Sequence, residues 1–310
     1  MGLQEQKNIF DQNISIIENA ILTFHGVDGY DVYNCSLPFT WEGKRYIFGR
    51  VERRGEWMRS WVRLFEETGL DHWTLVENSM IYQLEDPYIA IIHGELIMGG
   101  THVRVKGGKL DTYYAYFYRG TKVDDLHYFT TGPDYMKDIR LVELTDGRIG
   151  VFSRPRNDEI KRKYGSESMI GFSIINNLEE LTGEVVENAP LIEGLFQPGE
   201  WGGCNQVYLL PDGKLGVLGH FSYLEDEVCG EESVSVYTNM AFVFNPITRE
   251  VENLKMIGTR KSYPEGPAKL PHLCDCAFTS GMVSRLDGMV DLYSGIGDCM
   301  EGRTVIPYPF

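Results

Sequence analysis

After its first two dozen residues the chain settles into short apolar runs rich in Val, Ile, Tyr and Phe, punctuated by Gly, Pro, Asn and Asp. That rhythm predicts strands rather than helices. Only residues 4–24 carry a helical repeat, with Ile9, Phe10, Ile14, Ile17 and Ile21 at a spacing of about 3.6, and they predict one short helix. Tyr82–Val103 shows the strand pattern most plainly. Apolar runs 89–92 and 96–98 flank Gly94 and predict two antiparallel strands joined by a tight turn. Glu85-Asp86-Pro87 forms an acidic corner at the entrance, where Pro87 is expected to hold Asp86 extended.

An acidic residue followed by a turn residue recurs ahead of strands. The set is Glu42-Gly43, Asp86-Pro87, Asp146-Gly147, Asp212-Gly213 and Asp287-Gly288, in steps of 44, 60, 66 and 75 residues. Residues 63–76, 172–186 and 242–254 between them read as outer hairpins. One such unit per roughly 60 residues is how a propeller blade looks in sequence. Five units fit 310 residues, and no Pro/Gly/Ser-rich linker divides them. The expected fold is all-β, a five-bladed β-propeller forming one domain over residues 1–310. A β-sandwich would not place one acidic strand opener in each blade-length unit.

Charge narrows the function. A net charge of −16 argues against nonspecific nucleic-acid binding and against anionic membrane surfaces. No basic-then-apolar leader and no apolar run near the length of a membrane span is present, so a cytoplasmic location is expected. Cys35, Cys204, Cys229, Cys274, Cys276 and Cys299 then read as free, mostly buried thiols. Neither the lone C-x-C at Cys274 and Cys276 nor His93, His102, His127 and His272 have metal-site spacing, so no metal or cofactor is expected. No nucleophile elbow or phosphate-binding glycine loop is found.

A propeller gathers its inner strand ends at one mouth, so polar residues beside the openers are the candidates. Asp31, Asn34, Arg50 and Glu52 come from the first unit, and Glu85 and Asp86 from the second. Lys137, Asp138, Arg140, Arg154 and Arg156 come from the third, Trp201 and His220 from the fourth, and Asp275 and Asp298 from the fifth. Asp86 reads either as a turn cap or as a desolvated general acid. Arg154-Pro155-Arg156, with Lys137 and Arg140, reads either as a surface pairing for the surplus carboxylates or as a bidentate anion site. His220 is a satisfied structural histidine or shares that site. Trp57, Trp61, Trp73 and Trp201 are core residues or sugar platforms.

These motifs carry a resemblance over nearly the whole chain. GVDGYDVYN (Gly26–Asn34), GRVE (Gly49–Glu52), LEDPY (Leu84–Tyr88), KDIR (Lys137–Arg140), GRIGVFSRPR (Gly147–Arg156), EWGGCNQVY (Glu200–Tyr208) and SGIGD (Ser294–Asp298) resemble the domain-of-unknown-function family 1861, the mannogen-type β-1,2-mannosyltransferases and phosphorylases. More distantly the chain is similar to the β-mannoside phosphorylases of glycoside hydrolase family 130. The resemblance implies an inverting transfer of mannose between a β-1,2-manno-oligosaccharide and phosphate, or a nucleotide-activated mannose. Asp86 would be the acid. Arg140, Arg154, Arg156, Lys137 and His220 would hold phosphate. Asp31, Asn34, Arg50, Asp138 and Asp298 would bind mannose hydroxyls, and Asp275 is placed with them. Tyr88 stands where the distant relatives carry Arg, so one of their site arginines is missing. The alternatives are an inverting hydrolase with Glu52 or Glu85 as base, and a non-catalytic carbohydrate-binding propeller. An inverting hydrolase needs that second carboxylate, whereas a phosphorylase needs a basic cluster.

Overall fold

The computed structural model describes residues 1–56, 58–228 and 231–310, so Trp57 and Cys229 lie outside the described residues. Five sheets follow one another along the chain, four of four antiparallel strands and one of six whose outermost pair, Thr23–His25 with His72–Leu75, is parallel. They are the expected five blades. Their first strands are Asp31–Tyr33, Glu85–Ile92, Arg140–Glu143, Glu200–Leu209 and Ala277–Ser284. The strands read as near-continuous apolar runs, because each sheet is packed on both faces by its neighbours. Phe48, Leu64, Leu84, Leu96 and Met98 fill the seam between blades 1 and 2, and Phe152, Phe172, Phe242 and Phe244 that between blades 3 and 4.

The ring closes with strands from both ends of the chain. Asn19–Ile21 pairs with Met300–Pro307 and becomes the outer strand of blade 5. The predicted helix forms over Leu3–Gln12, shorter than the segment that suggested it. It docks through Lys7, whose ammonium lies 2.7 Å from Asp275, and through the Leu3 amide, which donates to Glu200 Oε1 at 2.7 Å.

Three expectations change. The repeat mixed two phases: three of its dipeptides join the first and second strands of a blade and Glu42-Gly43 joins Phe39–Trp41 to Lys44–Glu52 in blade 1, whereas Asp86-Pro87 lies inside a first strand. Blade 2 makes that turn with His93-Gly94, both at left-handed φ of 50° and 80°, and has no acid there. Second, residues 172–186 do not form a hairpin. The strand Ile170–Ile175 runs into a 3-10 turn and a helix, Gly183–Glu187, before the two-residue outer strand Leu191–Ile192. Third, Cys274 is disulfide-bonded, whereas Cys35, Cys204, Cys276 and Cys299 are free and buried. Among the described residues no helix is long and apolar enough to cross a membrane.

Candidate active site

One backbone device repeats around the mouth of the propeller. Asn34, Asp86, Asp138 and Asp298 all adopt left-handed φ, at 45°, 48°, 58° and 53°. Asn and Asp tolerate this region better than other residues with a Cβ. Asn34 directly follows the first strand of blade 1, and Asp138 stands two residues ahead of that of blade 3. Asp298 sits in the turn between the last two strands of blade 5. Asp86 is therefore not extended ahead of its strand: it is a kink within it, where the pairing register shifts between Glu85 and Tyr88. A left-handed residue before proline is strained, and strain of this kind concentrates at functional sites.

Three of the kinked residues, Asn34, Asp86 and Asp298, line a cavity of about 420 Å³, and Asp138 lies beneath it. Asp86, 4% exposed, accepts from Asn34 Nδ2 at 3.0 Å and Arg50 Nη1 at 2.9 Å on one oxygen, and faces Lys137 Nζ at 3.4 Å with the other. The same Asn34 amide nitrogen donates to Asp298 Oδ1 at 3.2 Å. Arg50 is fully engaged, donating to Ser60 Oγ at 2.9 Å and pairing with Glu52 at 3.0 Å and Glu85 at 3.1 Å. Glu52 in turn is held by Lys269 at 2.6 Å and by the Tyr33 hydroxyl.

The charges set the protonation pattern. Burial pushes the Asp86 carboxyl up, but Arg50 and Lys137 outweigh it and hold the group below the ordinary aspartate range. Desolvation by itself therefore does not make Asp86 an acid, contrary to expectation. Burial wins at Asp298, with Asp86 adding repulsion against the opposing pull of Arg50, and at Glu85, so both are raised. Lys137 is held protonated: burial opposes its charge, but Asp86 and Asp138 prevail.

Of the predicted residues, Asn34, Arg50, Asp86, Lys137, Arg154, Arg156 and Asp298 line the cavity together, with Glu85 and Trp201 beside them. Arg154 is buried and anchored, pairing with Asp138 at 2.6 Å and donating from Nε to the Gly202 carbonyl at 3.0 Å. Arg156 is exposed and forms no ion pair among the described residues.

The remaining candidates lie elsewhere. Arg140 is under the floor, its donors spent on the Asn205 carbonyl at 2.7 Å, the Ile139 carbonyl at 3.2 Å and Asp138 at 3.2 Å. Its guanidinium rests on the Tyr88 ring at 4.4 Å, so Tyr88 serves as a platform for an arginine. Asp138 clamps Arg140 and Arg154 from below, and those cations with Lys137 hold its carboxyl far below the usual range despite burial. His220 is fully buried against Asn205 Oδ1 at 2.7 Å, and burial together with Arg154 keeps it neutral. Asp31 pairs with Arg54, and Asp275 with Lys7. Trp73 is core. Tyr237 and Phe278 of the cavity wall and Lys269 beneath Glu52 were not foreseen. They sit in strands and a loop with no local motif, and only the closing of the ring brings them in. No cluster of three or more metal-ligating side chains occurs among the described residues.

A five-bladed propeller whose axial mouth joins a buried aspartate to a basic cluster defines a class, the propeller enzymes of glycosyl transfer. Within it, the chain belongs to the family described as Protein of unknown function (DUF1861), which matches residues 8–310. It is similar to MPT-4, a mannose phosphorylase from Leishmania mexicana solved with phosphate ion, at 51% identity over 99% of this chain and 93% of that one, TM-score 0.93. It is also similar to MPT-1, a GDP-Man-dependent mannosyltransferase from the same organism, at 48% identity over 99% and 94%, TM-score 0.91. The β-1,2-mannobiose phosphorylase of Listeria innocua, at 13% identity over 96% and 93% and TM-score 0.63, shares the fold. No curated protein matches the chain.

Proposed function

We propose that this protein is an inverting β-1,2-mannoside phosphorylase, working as one domain in the cytoplasm. The observation that carries the reading is the buried carboxyl of Asp86 in the same cavity as the cations Lys137, Arg154 and Arg156. Asp86 protonates the oxygen of the leaving sugar as the bond from that oxygen to the anomeric carbon breaks. A phosphate oxygen forms the new bond from the opposite face, giving mannose 1-phosphate. Lys137, Arg154 and Arg156 hold the phosphate, and Asn34 and Asp298 orient hydroxyls of the transferred mannose. Phosphate also acts on the acid: its negative charge offsets Lys137 and Arg154, so the Asp86 carboxyl rises toward a range where it can deliver a proton.

The hydrolase alternative lacks a free base. Glu52 is buried among Arg50, Lys269 and Tyr33 and does not line the cavity, and Glu85 is tied to Arg50. Asp298 shares one amide nitrogen with Asp86, so their nearest oxygens are no further apart than two hydrogen bonds laid end to end. That is closer than the roughly 6.5–9.5 Å that admits an attacking water. A second reading, transfer from a nucleotide-activated mannose, draws on the likeness to the GDP-Man-dependent enzyme and uses the same cations.

The test is to incubate the protein with β-1,2-mannobiose with and without inorganic phosphate and follow mannose 1-phosphate. Phosphate-dependent release is expected, and it is expected to be lost in Asp86→Asn and Arg154→Ala. Free mannose formed equally in both tubes would mean a hydrolase. Turnover of GDP-mannose alone would select the second reading, and binding of mannosides without any turnover would select the binding propeller.

A further inference from the structure

Lys137 lies on the connector that leaves blade 2 for blade 3, between two residues of left-handed backbone, Tyr135 and Asp138, each at a φ of 58°. Its side chain lines the cavity, and its ammonium stands 3.4 Å from Asp86 Oδ2. A lysine ammonium is a point charge on a flexible stem, so where it rests depends on where the backbone beneath it is held.

Downstream the backbone has a firm anchor. Asp138 suits a left-handed backbone and is clamped by Arg140 at 3.2 Å and Arg154 at 2.6 Å. Upstream the same conformation falls on a tyrosine, where a bulky side chain makes it an outlier. Strain of this kind persists only where the surroundings over-determine it. At Tyr135 they do. Its amide donates to the Tyr113 carbonyl at 2.7 Å, its hydroxyl donates to the Asp111 carbonyl at 2.8 Å, and its ring meets that of Tyr113 edge-on at 5.7 Å. One residue earlier, Asp134 Oδ1 accepts from Thr112 Oγ1 at 2.9 Å. All these partners belong to one strand of blade 2, Lys109–Gly120, whose Leu110 and Tyr113 line the cavity. The strained residue therefore joins the lysine's connector to the part of blade 2 that walls the site.

We propose that Tyr135 is a positioning residue for Lys137: by tying the connector to the blade 2 hairpin it fixes the ammonium against Asp86 and the phosphate. The part that concerns phosphate rests on the phosphorylase reading, and the part that concerns Asp86 does not. Asp86 is faced by Arg50 from blade 1, by Lys137 and Asp138 from the connector, by Asp298 from blade 5 and by its own neighbour Glu85. Arg50 is held by Ser60, Glu52 and Glu85, and Asp138 by its two arginines. Loosening the connector upstream therefore frees Lys137 and leaves the other charges in place. Asp86 then loses one of its two cations, and its carboxyl rises.

The test compares Tyr135→Asn, which suits a left-handed backbone but has neither ring nor hydroxyl, with Tyr135→Phe, which keeps the ring against Tyr113. Kinetics vary phosphate and β-1,2-mannobiose in turn, and carbon-13 NMR follows the Asp86 carboxyl against pH, its signal assigned through Asp86→Asn. Tyr135→Asn is expected to raise the KM for phosphate by on the order of tenfold, with the KM for mannoside and the melting temperature near native. The Asp86 titration should move to higher pH in the same variant, and Tyr135→Phe should retain most of the native behaviour in both readouts. A native phosphate KM and a native Asp86 titration in Tyr135→Asn overturn the proposal. So does an equal rise in both KM values with a lowered melting temperature, which marks general distortion. If the native protein forms no mannose 1-phosphate, the phosphorylase reading falls instead, and the Asp86 titration by itself decides whether Tyr135 positions Lys137.

Discussion

Asp86 is held by a relay of charges, and the relay reaches deeper than its immediate partners. Lys269 neutralises Glu52, which leaves Arg50 to divide its donors among Glu52, Glu85 and Asp86. Lys269→Met is expected to draw Arg50 toward the uncompensated Glu52 and weaken its hold on Asp86. The Asp86 carboxyl would then rise, and the limb of the pH–rate profile that reports it should move to higher pH, with Lys269→Arg restoring it. An unmoved limb would mean that Lys269 only packs. Asp86→Asn removes the proposed proton donor and should lower kcat by on the order of 10²–10⁴ with the fold intact, read by steady-state kinetics alongside circular dichroism. Phosphate should shift the Asp86 limb upward relative to a nucleotide-free, phosphate-free profile of substrate binding, because the anion offsets Lys137 and Arg154. At this scale the sequence was informative where a residue carries a rare type in a motif, as at Asp86 or Arg154. It was uninformative about whether a cation faces the cavity or the floor. Arg140 and Arg154 look alike in sequence, and the difference is which strand face each occupies relative to Asn205 and Gly202.

Among the elements, two glycine-bearing strands show why their motifs take the form they do. A Cβ on Gly295 would lie 1.8 Å from Asn34 Oδ1, so the strand Met289–Ile296 must carry glycine for Asn34 to reach both Asp86 and Asp298. On Glu200–Leu209, a Cβ on Gly203 would lie 2.9 Å from Arg154 Cδ. Gly203→Ala should tilt Arg154 and raise the KM for phosphate several-fold more than the KM for mannoside, measured by varying each substrate in turn. Equal changes in both would mean a general distortion of the site. The alternation of apolar and turn residues made the strands legible. Blade 2 disturbed the repeat because its tight turn uses His93-Gly94, where the left-handed backbone is met without an acid. The expected hairpin of blade 3 is absent because the apolar residues after Ile170–Ile175 lie on a helix, Gly183–Glu187, and the outer strand forms only later, at Leu191–Ile192.

For the whole molecule, the strand that closes the ring carries a buried titratable group. Glu301 of the last strand is buried, accepting from the Cys35 amide of blade 1 at 3.0 Å and from Ser280 Oγ of blade 5 at 2.6 Å. Burial pushes its carboxyl from 4.5 up to about 7, against the pull of those donors. The folded chain thus binds this proton more tightly than the unfolded one. The resulting stability is full below the ordinary glutamate range and is lost as pH rises through about 7, amounting to on the order of 3 kcal/mol. Thermal unfolding measured from pH 5 to 8 should show this decline, and Glu301→Gln should flatten it. A Glu301→Gln profile parallel to that of the native protein would sink the assignment. Deleting residues 1–21 removes the outer strand of blade 5 and the Lys7–Asp275 tie, and should lower the melting temperature markedly.

The sequence by itself determined the strand content and the number of blades, and it marked Asp86 and the third-blade cations as candidates. These depend on local properties: side-chain alternation, turn chemistry, and the rarity of clustered arginines in a chain of charge −16. Only the tertiary structure decided which charges share a cavity. That separation sends Asp275 to the N-terminal helix, Asp31 to Arg54 and Arg140 beneath the floor, and it brings Lys269 and Tyr237 inward. It also reversed the expected direction at Asp86, because the effect of burial on a carboxylate depends on the cations buried with it, and those arrive from other blades only when the ring closes.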